Sequence, residues 1–381
     1  MSGYDVIVVG CGAAGSAAAW RLARTGLRVL ALDRHHPPHA FGASHGHTRM
    51  TRTAYYEHPS YVPMLLEARR LWRELETLTR EALLFEVGGL YMGRPDSPLI
   101  AGATASARQH GLPIELMETP ELRKRFPMFV PPADAVGLLE RWAGYLRVEA
   151  AVGAMVHGAL AAGASVAFGV RVREIDDRGG GVVVRAEGGQ SWSAGQAVIA
   201  AGPWMSQVCP KVSVRATRQT LGWFWPEAAE RFVQLPVWAF DVPEGGLLYG
   251  FPMRAERPGL KAAVHAPGPV VEPDAVRRVT DAADEAALRG MLARYVPAAA
   301  NGPCLAMTVC LYENSPDGHF LLGRVSPTTV VAGGLSGHGF KFAPALGERV
   351  AELVRGQTPT VDIDFLHPGR FDGRSPAGSV R

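Results

Sequence analysis

The chain has little cysteine, little net charge and no block of basic residues, and each shortage removes a class of protein. Its 381 residues include four cysteines, Cys11, Cys209, Cys304 and Cys310, with no C-x-x-C pair and no histidine spacing suited to zinc. A disulfide scaffold and a structural metal are therefore not expected, and a reduced, cytoplasmic compartment fits best. The formal net charge is only +3 and no five or six basic residues stand together, so nucleic acid and anionic membranes are unsuited partners. Val6 to Trp20 carries no charge, but its 15 residues are short for a membrane span, and no basic leader precedes them.

What is present points to a folded, multidomain chain. Hydrophobic residues make up 47% and charged residues 20%, a balance that supports packed cores rather than disorder. The length calls for about two or three domains.

"YDVIVVGCGAAGSAAAWRLARTGLRVLALDRH" reads as strand, tight turn, helix and strand. Val6 to Val9 is the continuous β-branched run of a parallel strand buried on both faces. Gly10, Gly12 and Gly15 follow as G-x-G-x-x-G. Gly10 permits the turn, Gly12 lets backbone approach a pyrophosphate, and Gly15 lets helix and strand pack closely. Ala13 and Ala14 open the helix, whose N-terminal N–H groups suit phosphate. A second strand from Leu27 ends at Asp33, placed to accept hydrogen bonds from a ribose. The ligand expected is an adenine dinucleotide. The next segment, "HHPPHAFGASHGHTRMTRTAYYEHPSYVP", is a long irregular loop where a simple NAD dehydrogenase would continue βαβ, which favours FAD.

Further along, Met64, Ala68, Leu71, Trp72, Leu75 and Leu78 recur at helical spacing over Tyr61 to Leu83. Val148 to Gly163 is an alanine-rich helix pattern. Short strands follow, including "VRVREI" with Val172 and "VIAAGPW" with Gly202, where backbone can approach a ligand. Strands between Ser213 and Met307 look antiparallel, and "TVVAGGLSGHGFKFAPALGERVAELVRGQ" is strand, glycine turn and helix. The fold class expected is α/β plus α+β: a Rossmann-type FAD-binding domain with an inserted substrate domain on a mixed or antiparallel sheet. The first comprises 1–84, 145–212 and 308–370, the second 85–144 and 213–307, and 371–381 is expected to be a mobile tail.

Three residues raise questions that local pattern leaves open. Cys310 in "TVCLYENSPDGHF" is either an inert core residue or bonded to something. Lys261 in "GLKAAVH" shares a strand face with His265, since period two puts them together, and is either a snorkelling edge residue or functional. Lys341 in "SGHGFKF" adds its charge to the positive end of the helix about to begin, which disfavours that helix slightly and marks the lysine as a candidate for function.

The chain resembles the monomeric sarcosine oxidase family, close to N-methyltryptophan oxidase and the wider D-amino-acid-oxidase-like flavoproteins. The resemblance runs nearly full length through "DVIVVGCGAAGSAAA", "SHGHTRMTRTAY", "YGFP", "GLKAAVH", "TVCLYENSPDGHF" and "SGHGFKF". It implies FAD held by a thioether from Cys310 to the flavin 8α-methyl carbon. Lys261 would sit over the flavin and promote reaction with dioxygen. Arg52 and Lys341 would bind the substrate carboxylate, and Tyr55 would belong to a lid over the substrate. Ser44, His45, Thr48 and Arg49 match positions near the flavin, with Gly337 and Gly339 in the last motif. Tyr249, Tyr312 and His265 match the substrate cavity. Lys261, Arg49, His265 and Tyr312 are thus the candidate catalytic set. His47 and Thr53 depart from the family, where aspartate and histidine are common.

The function implied is oxidation of a secondary amino acid, sarcosine or another N-methyl amino acid, by a monomer that uses dioxygen and releases aldehyde, amine and hydrogen peroxide. Alternatives are a cyclic imino acid such as pipecolate, N-methyltryptophan, or a dehydrogenase with another electron acceptor. A non-catalytic flavin subunit conflicts with the full set of Arg52, Lys261 and Lys341. No residue stands out as a general base.

Overall fold

Val6 to Val9 is β-branched and charge-free because it lies mid-sheet. In the computed structural model, which describes residues 3–177, 179–243 and 245–371, Tyr4–Val9 pairs in parallel with Val29–Asp33 on one side and Ser191–Ile199 on the other. The sheet continues to Ser165–Phe168 beyond Val29–Asp33. Ser191–Ile199 is long enough to serve two partners. Its first half pairs antiparallel with Val182–Ala186, and its second half pairs in parallel with Thr329–Gly333. The chain thus returns to its first domain after the long excursion.

Small residues set how closely the helices of this domain approach. Helix Ala13–Ala23 packs on helix Ala343–Val354, and a Cβ built on Gly347 would lie 2.5 Å from the Ala17 carbonyl oxygen. Helix Val62–Thr79 buries Met64, Ala68, Leu71, Trp72 and Leu75, the stripe expected from their spacing. Leu78 is the exception. It falls in the last turn and is 56% exposed, because the helix ends there and no element covers that face.

The second domain is one eight-stranded sheet. Its order is Cys304–Asn314, Arg215–Phe224, Leu260–His265, Leu247–Gly250, Val237–Asp241, Gly89–Gly93, Val136–Glu140 and Ile114–Glu118. All pairs are antiparallel except Val237–Asp241 with Gly89–Gly93. The domain boundary expected at residue 308 falls within the Cys304–Asn314 strand, which pairs with Arg215–Phe224 along its length. Cys310 therefore sits on the second sheet. A small sheet of Thr48–Thr51, Gly144–Arg147 and Leu84–Phe85 joins the domains. Of the tryptophans here, Trp238 is core, Trp225 is exposed, and Trp223 lies beside Lys261. Residues 372–381 of the expected tail lie outside the described residues.

Candidate active site

The glycine turn builds a groove with a bare backbone floor. Gly10 has φ +95°, and a Cβ there would meet the Ala200 carbonyl oxygen at 2.4 Å. A Cβ on Gly15 would lie 1.7 Å from the Gly10 oxygen, so only glycine lets the helix start against the turn. Gly12 caps the helix without a side-chain hydrogen bond, leaving N-terminal N–H groups for an anion; the Ala13 N–H donates to Ser44 Oγ at 3.1 Å. The Asp33 carboxylate accepts from Cys11 N at 2.6 Å and His35 N at 2.8 Å, tying the second strand to the turn. Cys11 is buried, and its thiol faces the Leu32 carbonyl.

Gly10, Gly12, Ala13, Ala14, Asp33, Ser44, Arg49, Val172, Gly202, Tyr312, Gly337 and Gly339 line this one groove. Gly15 lies just behind it. Apolar residues such as Val9, Leu32, Val170, Val172 and Leu311 share its walls with Arg34, His35, Arg171 and Glu313. These residues fit an adenine dinucleotide.

Sheet register explains the other end. Gln219 pairs with Cys310, Thr217 with Tyr312, Trp223 with Lys261, Leu221 with Ala263 and Tyr249 with Ala263. Period two then puts Cys310, Tyr312, Lys261, His265 and Tyr249 on one face of the second sheet. His265 Nδ1 lies 3.2 Å from Tyr312 Oη.

The loop after Ser44 closes over that face. Arg49 donates to Cys310 Sγ at 3.3 Å and to the Ala43 carbonyl at 2.9 Å. Lys261 Nζ donates to the carbonyls of Gly46 at 2.6 Å and Thr48 at 2.7 Å, with Thr48 Oγ1 at 3.1 Å. Burial, reinforced by Arg49, pushes the Lys261 ammonium well below the usual lysine range. His265 is half-buried, and desolvation pushes it down to about 4, so it is neutral at pH 7. His45, also pushed down to about 4 by burial, is packed behind the loop, outside the groove lining.

Arg52 and Lys341 meet in a second cluster. Arg52 is 6% exposed, stacked 4.3 Å from the Tyr55 ring and 4.5 Å from the Tyr56 ring. Its Nη2 donates to Glu57, while Arg52 Nη1 and Glu57 Oε2 have no hydrogen-bond partner among the described residues. Burial alone would raise the Glu57 carboxyl, but the Arg52 charge more than offsets it and holds it at about 2. Lys341 donates to the His338 carbonyl at 2.6 Å and lies 5.2 Å from the Tyr55 ring. Burial and then Arg52 push its ammonium down to about 7. Tyr55 Oη is hydrogen-bonded to His338 Nδ1, and burial holds His338 at about 3.

Glu57, His338 and Tyr56 were not singled out in the sequence, although "TAYYEHP" and "SGHGFKF" contain them. Nor was Glu140, which is fully buried and accepts from Tyr91 Oη at 2.9 Å and from Thr53 N at 2.5 Å. Thr53, one of the two departures, thus holds a buried carboxylate. His47, the other, has φ +68° and turns its ring edge to Trp223, while its N–H donates to Glu149. Thr48 and Lys261 also line a separate cavity with Trp223, Phe251 and Arg257. Among the described residues no group of His, Cys, Asp and Glu is placed to hold a metal ion, and no helix is long and apolar enough to cross a membrane.

Comparison with known proteins agrees with this geometry. Residues 5–353 match the model of the FAD dependent oxidoreductase family. N-methyl-L-tryptophan oxidase of Salmonella agona (strain SL483) is 36% identical over 375 residues, covering 97% of this chain and 99% of that one. Monomeric sarcosine oxidase of Streptomyces avermitilis is 38% identical over 377 residues, covering 97% and 98%. The solved structure of NikD, an unusual amino acid oxidase essential for nikkomycin biosynthesis, superimposes with TM-score 0.83 at 27% identity, covering 97% and 98%. The glycine-floored groove and the sheet facing it are those of a flavoenzyme, and the chain belongs to the FAD dependent oxidoreductase family, among the relatives of N-methyl-L-tryptophan oxidase and monomeric sarcosine oxidase.

Proposed function

We propose that the chain is an FAD-dependent oxidase of secondary amino acids, with an N-methyl amino acid as substrate and dioxygen as acceptor. The observation that carries it is the pairing of a buried cationic cluster, Arg52 and Lys341, with a sheet face bearing Lys261. Bound in the groove, FAD supplies a two-electron acceptor for the C–H bond next to nitrogen and hands those electrons to dioxygen.

The chain's own residues do the rest. Arg52 and Lys341 take the substrate carboxylate: the guanidinium offers Nη1, and the carboxylate replaces Glu57 as its anion. Neutral His265, Tyr249 and Tyr312 give the cavity polar walls without charge, which suits an amine reacting through its lone pair. Lys261 places positive charge where dioxygen gains an electron. Water then splits the imine product to an aldehyde and the shorter amine.

Cys310 is the proposed covalent link to FAD, supported by the Arg49 guanidinium on its sulfur. The family's relatives include both sarcosine and N-methyltryptophan oxidases, and the pocket's substrate within that range is set by assay. A monomer in a reducing, cytoplasmic setting completes the reading, and gel filtration with turnover by the lone chain tests the monomer.

Arg52→Ala removes a charge-assisted pair worth about 1.5–3 kcal/mol, so a carboxylate inhibitor should bind at least roughly tenfold more weakly. An amine analogue lacking the carboxylate should bind both forms equally poorly. Normal carboxylate binding by Arg52→Ala would place the clamp elsewhere.

The low position of Lys341 gives a pH signature. Its cation is present below about 7 and is lost above it, while a bound carboxylate holds the proton on. Inhibitor affinity should therefore fall as pH rises past 7, and Lys341→Met should bind weakly with that slope removed. Titration of binding by flavin absorbance checks it.

A further inference from the structure

The segment between strand Leu260–His265 and helix Ala282–Tyr295 leaves the second domain and crosses onto the first. Its ends are fixed: Val270 bridges Thr217 at the sheet edge, and the Asp281 carboxylate caps the helix. Between them Asp274 makes three contacts to the far domain. Its carboxylate accepts from Arg34 Nη1 at 2.5 Å, Arg171 Nη2 at 2.6 Å and Trp204 Nε1 at 2.8 Å. Glu272 accepts from Gln207 Nε2 at 2.6 Å. Arg278 donates to the Ala40 carbonyl at 3.3 Å and lies 5.3 Å from the Phe41 ring, itself stacked on His35.

These contacts share one feature. Arg34, His35, Arg171, Trp204 and Gln207 all line the dinucleotide groove, at the end marked by Asp33 and Val172. They come from three separate stretches of the first domain, 34–35, 171 and 204–207, and a single segment of the second domain ties them together. Arg49, which lies against Cys310 Sγ, lines the same groove.

We propose that residues 272–278 are a latch closing the Asp33 end of the groove, with Asp274 as its fastening residue, so that FAD passes in and out only when the latch is open. The proposal rests on the FAD reading of the groove. The chain would then hold its cofactor twice, by Cys310 and by a non-covalent latch. Asp274 is a positioning residue: it touches the groove wall and acts through it. The paired side chains are about a third exposed, with Asp274 at 29%, Arg34 at 37% and Arg171 at 28%, so salt should weaken the latch.

The test uses Cys310→Ser holoenzyme, in which FAD is held without a covalent bond, and follows FAD fluorescence after dilution into a large excess of buffer. Adding Asp274→Asn should speed FAD release at least roughly tenfold at low salt. Raising salt should speed release from the Asp274 parent and leave the Asn form unchanged. Asp274→Glu should restore slow release, and Glu272→Gln should give a smaller acceleration. The thermal midpoint of each apo form separates loosening of the groove from general destabilisation. The flavin content at the start of each trace reports whether the groove takes FAD, separately from how fast it lets go. Equal release rates with and without Asp274, or an Asn form as salt-sensitive as its parent, would overturn the latch.

Discussion

Lys261→Met should slow reoxidation of the holoenzyme by dioxygen on the order of 10²–10³-fold, the cost of removing one preorganised charge from a dry site. Anaerobic reduction by substrate should suffer far less, because the carboxylate clamp is on other elements. The physical argument is local. Lys261 is 4% exposed, and its ammonium is held by the Gly46 and Thr48 carbonyls, so it cannot swing away from the sheet face. Methionine keeps the length and the packing against Trp223 and Phe251 but carries no charge. The wild-type rate with dioxygen should also fall as pH rises through the Lys261 pKa, which burial and Arg49 bring well below the usual lysine range. The methionine form should lack that slope. Stopped-flow measurement of the two half-reactions checks both statements, and unchanged reoxidation would remove Lys261 from the site.

Cys310→Ser should turn a protein that precipitates yellow in acid into one that precipitates colourless. Wild-type chain should carry the mass of one FAD beyond its own. The strand places Cys310 at 1% exposure on the face shared with Tyr312, with Arg49 Nη2 at 3.3 Å from its sulfur. A thioether to the flavin methyl would form with loss of the thiol proton and one methyl hydrogen, the two electrons passing to the flavin and on to dioxygen, and the Arg49 guanidinium lies against the sulfur that would form it. The other cysteines are less suited: Cys11 faces a carbonyl, Cys209 sits in an apolar cluster, and Cys304 lies near the start of the strand. The serine variant should still bind FAD through the groove around Gly10 and Gly12. Colourless precipitate from fully loaded wild type would leave Cys310 as a core residue.

The first nucleotide unit was legible because its signals are local. A β-branched run, three glycines at fixed spacing and a terminal aspartate each have a short-range cause, and they fell where the pattern put them. The helix Val62–Thr79 was legible for the same reason, apart from its last turn. Cys310 was not. Its surroundings depend on register with Gln219, 91 positions earlier, and on a loop 261 positions away that brings Arg49 to its sulfur. Local pattern alone left it an ordinary strand cysteine. The boundary expected at residue 308 falls inside that strand for the same reason, since a strand's sequence does not say which sheet it joins. Glu57 and Asp274 lie in irregular segments with no periodicity to mark them. Only the folded chain shows that one occupies Arg52 and the other spans the two domains.

The central claim is oxidation of a secondary amino acid at the expense of dioxygen, and product balance tests it most directly. FAD-loaded wild-type chain should be given an N-methyl amino acid in air, with peroxide, formaldehyde and demethylated amino acid measured together. Equal amounts of all three, with none from the primary amino acid or the decarboxylated amine, are the predicted result. Substrate oxidation that proceeds only with an artificial electron acceptor and releases no peroxide would contradict it.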